Sequence, residues 1–309
     1  MADVVISEFM DQAAVDGLAD EFDVVYDPNL VDHADDLAAA VADARALIVR
    51  NRTQVRDALL EAAGALKVVG RLGVGLDNID LEACRQRAVS VCPATGANDA
   101  AVAEYVIATA MLLLRDAYAA GAEVLAGAWP RQRCMGREIG GKVLGLIGFG
   151  AIARQTAQRA QALGMSIMAH DPFVAATEPA WHDVQRSELD GLVANADVVS
   201  LHLPLTDDTR GLLDARMIAA MKQGAVLINT SRGGIVDEDA LIASLRAGHL
   251  AGAALDVFET EPVTAASGAR FAGIGNLVLT PHIAGVTRES NVRVSAVTAE
   301  SVRKVLNQQ

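Results

Sequence analysis

The chain has 309 residues, of which 52% are hydrophobic and only 4% aromatic, and it carries a formal charge of −13. That length is comfortable for two cores, and an apolar mass made mostly of Ala, Val, Leu and Ile suits parallel sheets buried on both faces. The acidity argues against nucleic acid or an anionic membrane as a partner, because either needs a basic face; an anionic substrate would need a local cationic pocket.

Taken in order, apolar runs that read as strands fall at 4–7, 23–26, 46–50, 67–71 and 89–92, with helix-like stretches between them such as 34–44 and 53–63. Strands alternating with helices predict a parallel sheet. DAAVAEYVIATAMLLLRDAY, 99–118, reads as a long Ala-rich helix with Asn98 or Asp99 as N-cap, ending near Gly121. A loop with Trp129-Pro130-Arg131 follows, and then a second series of strands at 142–148, 165–170, 196–202, 225–230, 251–258 and 276–280. A polar-faced helix at about 287–307 closes the chain. The start, Met-Ala-Asp, lacks the features of a signal peptide, and no apolar stretch approaches the roughly 18 residues of a membrane span. Cys84, Cys92 and Cys134 form no CxxC pair and are odd in number, as expected of reduced thiols in a cytoplasm.

Strand 142–148 runs into Gly148-Phe149-Gly150-Ala151-Ile152-Ala153, a GxGxxG pattern with Ala in third place. Gly148 permits the tight turn, Gly150 admits a pyrophosphate close to the backbone, and the third position need only be small so that helix 153–163 packs on the sheet. The helix N-terminus then offers free amides to phosphate. The next strand ends at His170-Asp171, 21 residues beyond Gly150. A carboxylate there accepts from ribose hydroxyls and repels a 2′-phosphate, which favours NAD over NADP.

Ligands of open α/β sheets bind outside the carboxyl ends of the strands. Three late strands deliver ionisable residues there: Arg232 after AVLINT, Glu259 and Glu261 after AGAALDVF, and His282 after NLVLT. Arg232 offers a planar fork for a carboxylate and a polarised carbonyl. His282 can exchange a proton with a hydroxyl. A glutamate can hold the imidazole and favour its charged form, and position alone leaves Glu259 and Glu261 in competition. His202 also follows a strand and rivals His282; His33, His170, His182 and His249 read as surface or loop residues. No metal-ligand spacing is visible, and none is needed for this chemistry.

The segments VLGLIGFGAIA, HDP, LHLPLTDDTRGLL, INTSRGGIVDEDAL, AGAALDVFETEP and LTPHIAG resemble the D-isomer-specific 2-hydroxyacid dehydrogenases. The first half, in VRNRTQV, GRLGVGLDNID and PATGANDAAVAEYVIATAMLLLR, resembles that family's phosphoglycerate dehydrogenase branch. The resemblance covers nearly the whole chain. It implies an NAD-dependent oxidoreductase acting on CH–OH groups, with Arg232, Glu261 and His282 as the catalytic set, which selects Glu261 over Glu259. It implies pyrophosphate contacts at Gly148, Gly150, Ala151 and Ile152 and ribose contacts at Asp171. His202, Leu203, Pro204, Thr230, Ser231, His282 and Gly285 would line the cofactor, and Asp256 would hold the nicotinamide carboxamide. The substrate carboxylate would meet Leu72-Gly73-Val74-Gly75, whose glycines leave amides free, and Arg232, with Asn98 in contact range of the site and Arg50 a further substrate-side candidate. Two departures are Ala153 where Gly is usual and Ala151 where Arg is frequent. Longer phosphoglycerate dehydrogenases carry a C-terminal regulatory module, which this chain is expected to lack, with serine feedback.

The resemblance further implies two doubly wound parallel-sheet domains: a flavodoxin-like discontinuous substrate domain, 1–98 with 287–309, and a Rossmann NAD-binding domain, 99–286. A hinge near 98 and 286 would close over the substrate, and the long apolar helix suggests a homodimer. Arg50 and Arg52 follow a strand, Arg71 the next, and Arg131, Arg133 and Arg137 lie after the long helix. Such a cluster could take a second anionic group, as in 3-phosphoglycerate or sulfolactate, and VRNRTQV and WPR resemble sulfolactate-type dehydrogenases. A sulfonate-bearing carbon outranks a carboxylate, so (S)-sulfolactate shares the spatial arrangement of an oxygen-bearing D-hydroxy acid. The rival reading is a non-catalytic NAD sensor of the corepressor kind on the same fold. Glu261 argues against a formate dehydrogenase, and the absence of Tyr-x-x-x-Lys argues against Tyr–Lys reductases.

Overall fold

Two parallel sheets organise the computed structural model, which describes residues 2–115 and 117–308. The chain divides into two units, one made of the residues up to Asn98 with those from Val286 onward, the other running from Asp99 to Gly285.

In the first unit, β1 (Val4–Ile6), β2 (Val24–Tyr26), β3 (Ala46–Val49), β4 (Val68–Arg71) and β5 (Ser90–Pro93) lie in the order β2-β1-β3-β4-β5. All pairs are parallel, which is the flavodoxin-like order. Both sheet faces are covered, so the central strands read as unbroken apolar runs. Val4, Ile6, Ile48 and Val68 pack with Val294, Ala299, Val302 and Leu306 of the closing helix Arg288–Asn307. Val5, Leu47, Val49 and Val69 face Leu37, Val41 and Leu60 on the opposite side. Each such fully buried side chain contributes roughly 1.5–3 kcal/mol. The closing helix sits directly on β4 at Gly70, where a Cβ would lie 2.7 Å from Val302 and 2.8 Å from Thr298. Thr287 and Ser290 close a capping box at its start.

The second unit holds β6 (Val143–Ile147), β7 (Ser166–His170), β8 (Gln185–Arg186), β9 (Val198–Leu201), β10 (Val226–Asn229), β11 (Gly252–Leu255) and β12 (Leu277–Leu279). Their order, β12-β11-β10-β9-β6-β7-β8, is that of a dinucleotide-binding sheet extended by one strand, with its switch point between β6 and β9. Every pair is parallel. Alternate strand residues feed two cores: Leu144, Leu146, Val226 and Ile228 face the helices Asp99–Arg115 and Ala151–Ala162, while Ile147, Leu201, Leu227 and Leu255 face the other side.

Three elements differ from expectation. The long helix ends at Arg115 rather than near 121, because the carbonyl of Leu114, which would serve the next turn, accepts from the amide of Arg137 at 2.8 Å. The helix expected over 53–63 is only Asp57–Ala62; the amide of Thr53 goes to the Glu8 carboxylate and Val55 bridges to Ile79. The edge strand Gln185–Arg186 is two exposed residues and has no apolar pattern to announce it. Among the described residues, no helix is long and apolar enough to cross a membrane, and no cluster of three or more His, Cys, Asp or Glu side chains could hold a metal ion.

Candidate active site

Because the seven strands of the second unit run parallel, the residues that follow them share one edge. At the switch point, Gly148 adopts φ +86°, and a Cβ there would come within 2.3 Å of the His202 carbonyl oxygen. Only glycine fits this turn. The helix Ala151–Ala162 starts behind Gly150 with no side-chain cap, and a Cβ on Gly150 would meet nothing within 4 Å. First-turn amides therefore face open space, with the positive end of the helix dipole behind them. Ala153 is fully buried beneath this turn, so its methyl is accommodated.

Asp171 braces the same loop. Its Oδ2 accepts from the Phe149 amide at 2.8 Å, and its Oδ1 from the amides of Phe173 and Val174. A carboxylate has about four acceptor positions, so one remains, on Oδ2, for a ribose hydroxyl. His202 meets the Ser200 hydroxyl at 3.0 Å, and burial of its ring pushes its pKa down to about 4. It is neutral, which suits a pocket wall better than proton exchange. The Leu203 amide donates to Ser231 Oγ, whose hydroxyl in turn reaches the Leu201 carbonyl; Pro204 O accepts from Thr209. Thr230 keeps a buried Oγ1 with no partner.

After β10, the Asn229 side chain accepts from the Ser231 amide and donates to the Arg232 carbonyl. This fixes the turn that carries Arg232, whose Nη1 also donates to the Ser231 carbonyl at 2.6 Å. The two glutamates after β11 separate cleanly. Glu261 Oε2 lies 2.8 Å from His282 Nδ1, and its Oε1 accepts from the Phe258 amide. Glu259 turns instead to Arg270, 3.4 Å away. Burial alone would raise the Glu261 pKa, but the His282 hydrogen bond, the Phe258 amide and the charges of His282 and Arg232 outweigh it, and the carboxyl is held below its ordinary value. Since Glu261 is ionised, Nδ1 of His282 carries the hydrogen, and Nε2 is the nitrogen left to take or give a proton.

His282 has φ +57°, a left-handed conformation that costs of order 1–3 kcal/mol for a side chain with a Cβ. Asp256 holds it there. The Asp256 carbonyl accepts from the His282 amide, its Oδ1 from Ile283 and its Oδ2 from Ala284, each at 2.8 Å. Asp256 is 1% exposed and so anchors the turn that leads to Gly285. This role was not legible in the sequence, where the resemblance gave Asp256 only a place beside the nicotinamide carboxamide.

In the first unit, the expected anion loop needs a correction. The Leu72 amide is taken by the Val49 carbonyl and the Gly73 amide by the Arg71 carbonyl, because the chain turns tightly off β4. The amides without partners among the described residues are those of Val74 and Gly75. Asn98 keeps a buried Oδ1 without a partner. Arg50 donates to Asn291 Oδ1 at 2.7 Å and lies over the Phe9 ring. Two other arginines of the cluster are committed to ion pairs, Arg52 with Asp32 and Arg133 with Glu123. Sequence reasoning missed Glu8, a buried carboxylate that accepts from the amides of Arg50, Arg52 and Thr53 and so braces the Arg50 loop. Its position at the carboxyl end of β1 was the available signal.

Residues 107–284 match the sequence profile described as D-isomer specific 2-hydroxyacid dehydrogenase, NAD binding domain. The chain belongs to this family. An (S)-sulfolactate dehydrogenase of Chromohalobacter salexigens is 56% identical over 307 residues, covering 99% of each chain. A D-3-phosphoglycerate dehydrogenase of Mycobacterium leprae is 39% identical over 305 residues, 98% of this chain but 56% of that one; the chain thus spans about half the length of such relatives. The crystal structure of a glyoxylate reductase from Paecilomyes thermophila superposes with a TM-score of 0.86 at 27% identity, covering 99% of this chain and 95% of that one. As a D-isomer specific 2-hydroxyacid dehydrogenase, the chain is an NAD-dependent oxidoreductase acting on CH–OH groups. Its residues suit NAD: space beside Gly150, uncapped first-turn amides, a remaining acceptor on Asp171 and the unpartnered Thr230 hydroxyl all await ligand groups.

Proposed function

We propose that this enzyme interconverts a small 2-hydroxy acid that bears a second anionic group, of the sulfolactate or 3-phosphoglycerate kind, with its 2-oxo acid. The observation that carries the chemistry is the Glu261–His282 pair at 2.8 Å, with Arg232 close enough to depress the glutamate. NAD, when bound, supplies or accepts the hydride. Arg232 then grips the carboxylate and polarises C2–O with its planar fork. His282 Nε2 takes the hydroxyl proton on oxidation and returns it on reduction, and Glu261 stabilises the imidazolium that forms. In the first unit, the amides of Val74 and Gly75 and the Asn98 side chain are the candidates for substrate binding. Gly148, Gly150, Ala151 and Ile152 cradle the pyrophosphate. Thr230, Ser231, Asp256, His202, Leu203, Pro204 and Gly285 border the rest of the cofactor.

The second anion falls to Arg50. Its guanidinium donates to Asn291 and lies over the Phe9 ring, with the charge of the buried Glu8 carboxylate acting on it as well. The 56% identity to a sulfolactate dehydrogenase favours a sulfonate. The test is turnover with NAD or NADH against sulfolactate, phosphoglycerate, glycerate, lactate and malate with their 2-oxo partners. Preference for one doubly anionic acid supports the reading. Equal turnover of small monoanions removes Arg50 from it, and tight NAD binding without any turnover points to the NAD-sensor alternative.

Asp171 discriminates the cofactor by its charge. Asp171→Asn removes the repulsion of a 2′-phosphate, at the cost of one of the two oxygens that accept the Phe149, Phe173 and Val174 amides, and the NAD over NADP ratio of kcat/KM is expected to fall by about tenfold or more, roughly 1.4 kcal/mol. An unchanged ratio would mean that the ribose is read elsewhere. We also assign the enzyme to the cytoplasm, with neither membrane nor nucleic acid as partner, and pair it as a homodimer through the apolar surface of the NAD-binding unit, where Tyr118, Leu125, Trp129 and Met135 are 73–92% exposed. A monomeric mass by light scattering at micromolar concentration would refute the pairing.

A further inference from the structure

The turn bearing His282 is tied to a helix that takes no part in the chemistry. Tyr105, on the core helix Asp99–Arg115, has its hydroxyl 2.6 Å from Thr280 Oγ1. Thr280 Oγ1 in turn donates to Asp256 Oδ1, also at 2.6 Å. The direction follows from hydrogen counting. Asp256 accepts the amides of Ile283 and Ala284 as well, so its carboxylate serves only as an acceptor. Thr280 has one hydroxyl hydrogen and gives it to Asp256; Tyr105 must therefore donate to Thr280. Burial raises the Tyr105 pKa, which keeps that donor protonated.

We propose that Tyr105 and Thr280 are positioning residues for the proton transfer at His282, a hydrogen-bonded chain that orients the Asp256 carboxylate and, through it, the left-handed turn that aims His282. The proposal rests on His282 being the acid/base. Three successive amides, 282 to 284, end on Asp256. A carboxylate free to rotate about its last bond would hold the Ile283 and Ala284 amides less well. The turn would then relax from φ +57° toward ordinary backbone and carry the imidazole off its line. The core helix supplies a rigid end to the chain, since Val102, Val106 and Ala110 on it are buried against the sheet.

The experiment compares Tyr105→Phe, Thr280→Val, Thr280→Ser and the double variant Tyr105→Phe/Thr280→Val at saturating NAD, with His282→Ala as reference. Tyr105→Phe is expected to lower kcat by about three- to tenfold, the scale of one hydrogen bond, with KM for the acid within twofold and the thermal midpoint little changed. Thr280→Val should lower kcat at least as far, and Thr280→Ser, which keeps the hydroxyl, should restore it to within twofold of the parent. Because the chain is serial, the double variant should be no slower than Thr280→Val alone. A kcat for Tyr105→Phe within twofold of the parent, or effects that multiply in the double variant, would overturn the proposal. Should Thr280→Val fail to fold, Tyr105→Phe and Thr280→Ser still decide it. Turnover that survives in His282→Ala would instead overturn the acid/base assignment.

Discussion

His282→Ala is expected to lower kcat by about 10²–10⁴-fold, the usual worth of a positioned general acid–base group, while NADH still binds. The proton must leave or reach the substrate hydroxyl as the C2–H bond breaks or forms, and water in its place is neither positioned nor matched in pKa. Nε2 is the nitrogen available because Nδ1 is engaged with Glu261 at 2.8 Å. NADH affinity, followed by its fluorescence, should stay within about threefold, because the pyrophosphate turn at Gly148–Ile152 and Asp171 belong to β6 and β7, away from the turn after β12. A kcat within tenfold of the parent would remove His282 from the chemistry. Lost NADH binding would recast it as a structural element of the cofactor pocket.

Arg232→Ala is expected to raise KM for the acid and lower kcat together, with kcat/KM falling well beyond tenfold, that is by more than about 1.4 kcal/mol. A guanidinium that binds the carboxylate lowers KM, and one that meets the developing charge on the C2 oxygen raises kcat; one planar group serves both. Arg232→Lys should restore little, since a point charge cannot reproduce the fork. The Asn229 side chain fixes the turn, so truncating Arg232 leaves the backbone held at both Ser231 and Arg232. An effect smaller than tenfold on kcat/KM would place the substrate carboxylate elsewhere.

The parallel α/β layers were legible because the central strands are covered on both faces and so form contiguous apolar runs between turn residues. Val226–Asn229 is entirely buried and reads directly from AVLINT. Boundaries slipped where a distant residue took a local hydrogen bond, as Arg137 does at Leu114 and Glu8 does at Thr53. The loop at Leu72–Gly75 shows the same limit at a candidate site: glycines announce a turn, but which amides stay unpaired depends on the carbonyls of Val49 and Arg71.

The local pattern was enough to establish a parallel α/β architecture, a dinucleotide turn at Gly148–Ala153 and ionisable residues at the strand ends, because strand periodicity, glycine spacing and the parallel-sheet edge rule all act over a few residues. Residue pattern by itself left Glu259 and Glu261 in competition; the family resemblance selected Glu261, and tertiary structure supplied the contacts. Glu261 faces His282 while Glu259 faces Arg270, and Asp256 gathers three amides and the Thr280–Tyr105 chain. Such choices turn on distances of about 3 Å between residues from 11 to 175 positions apart, where hydrogen-bond geometry discriminates sharply and sequence spacing carries little information.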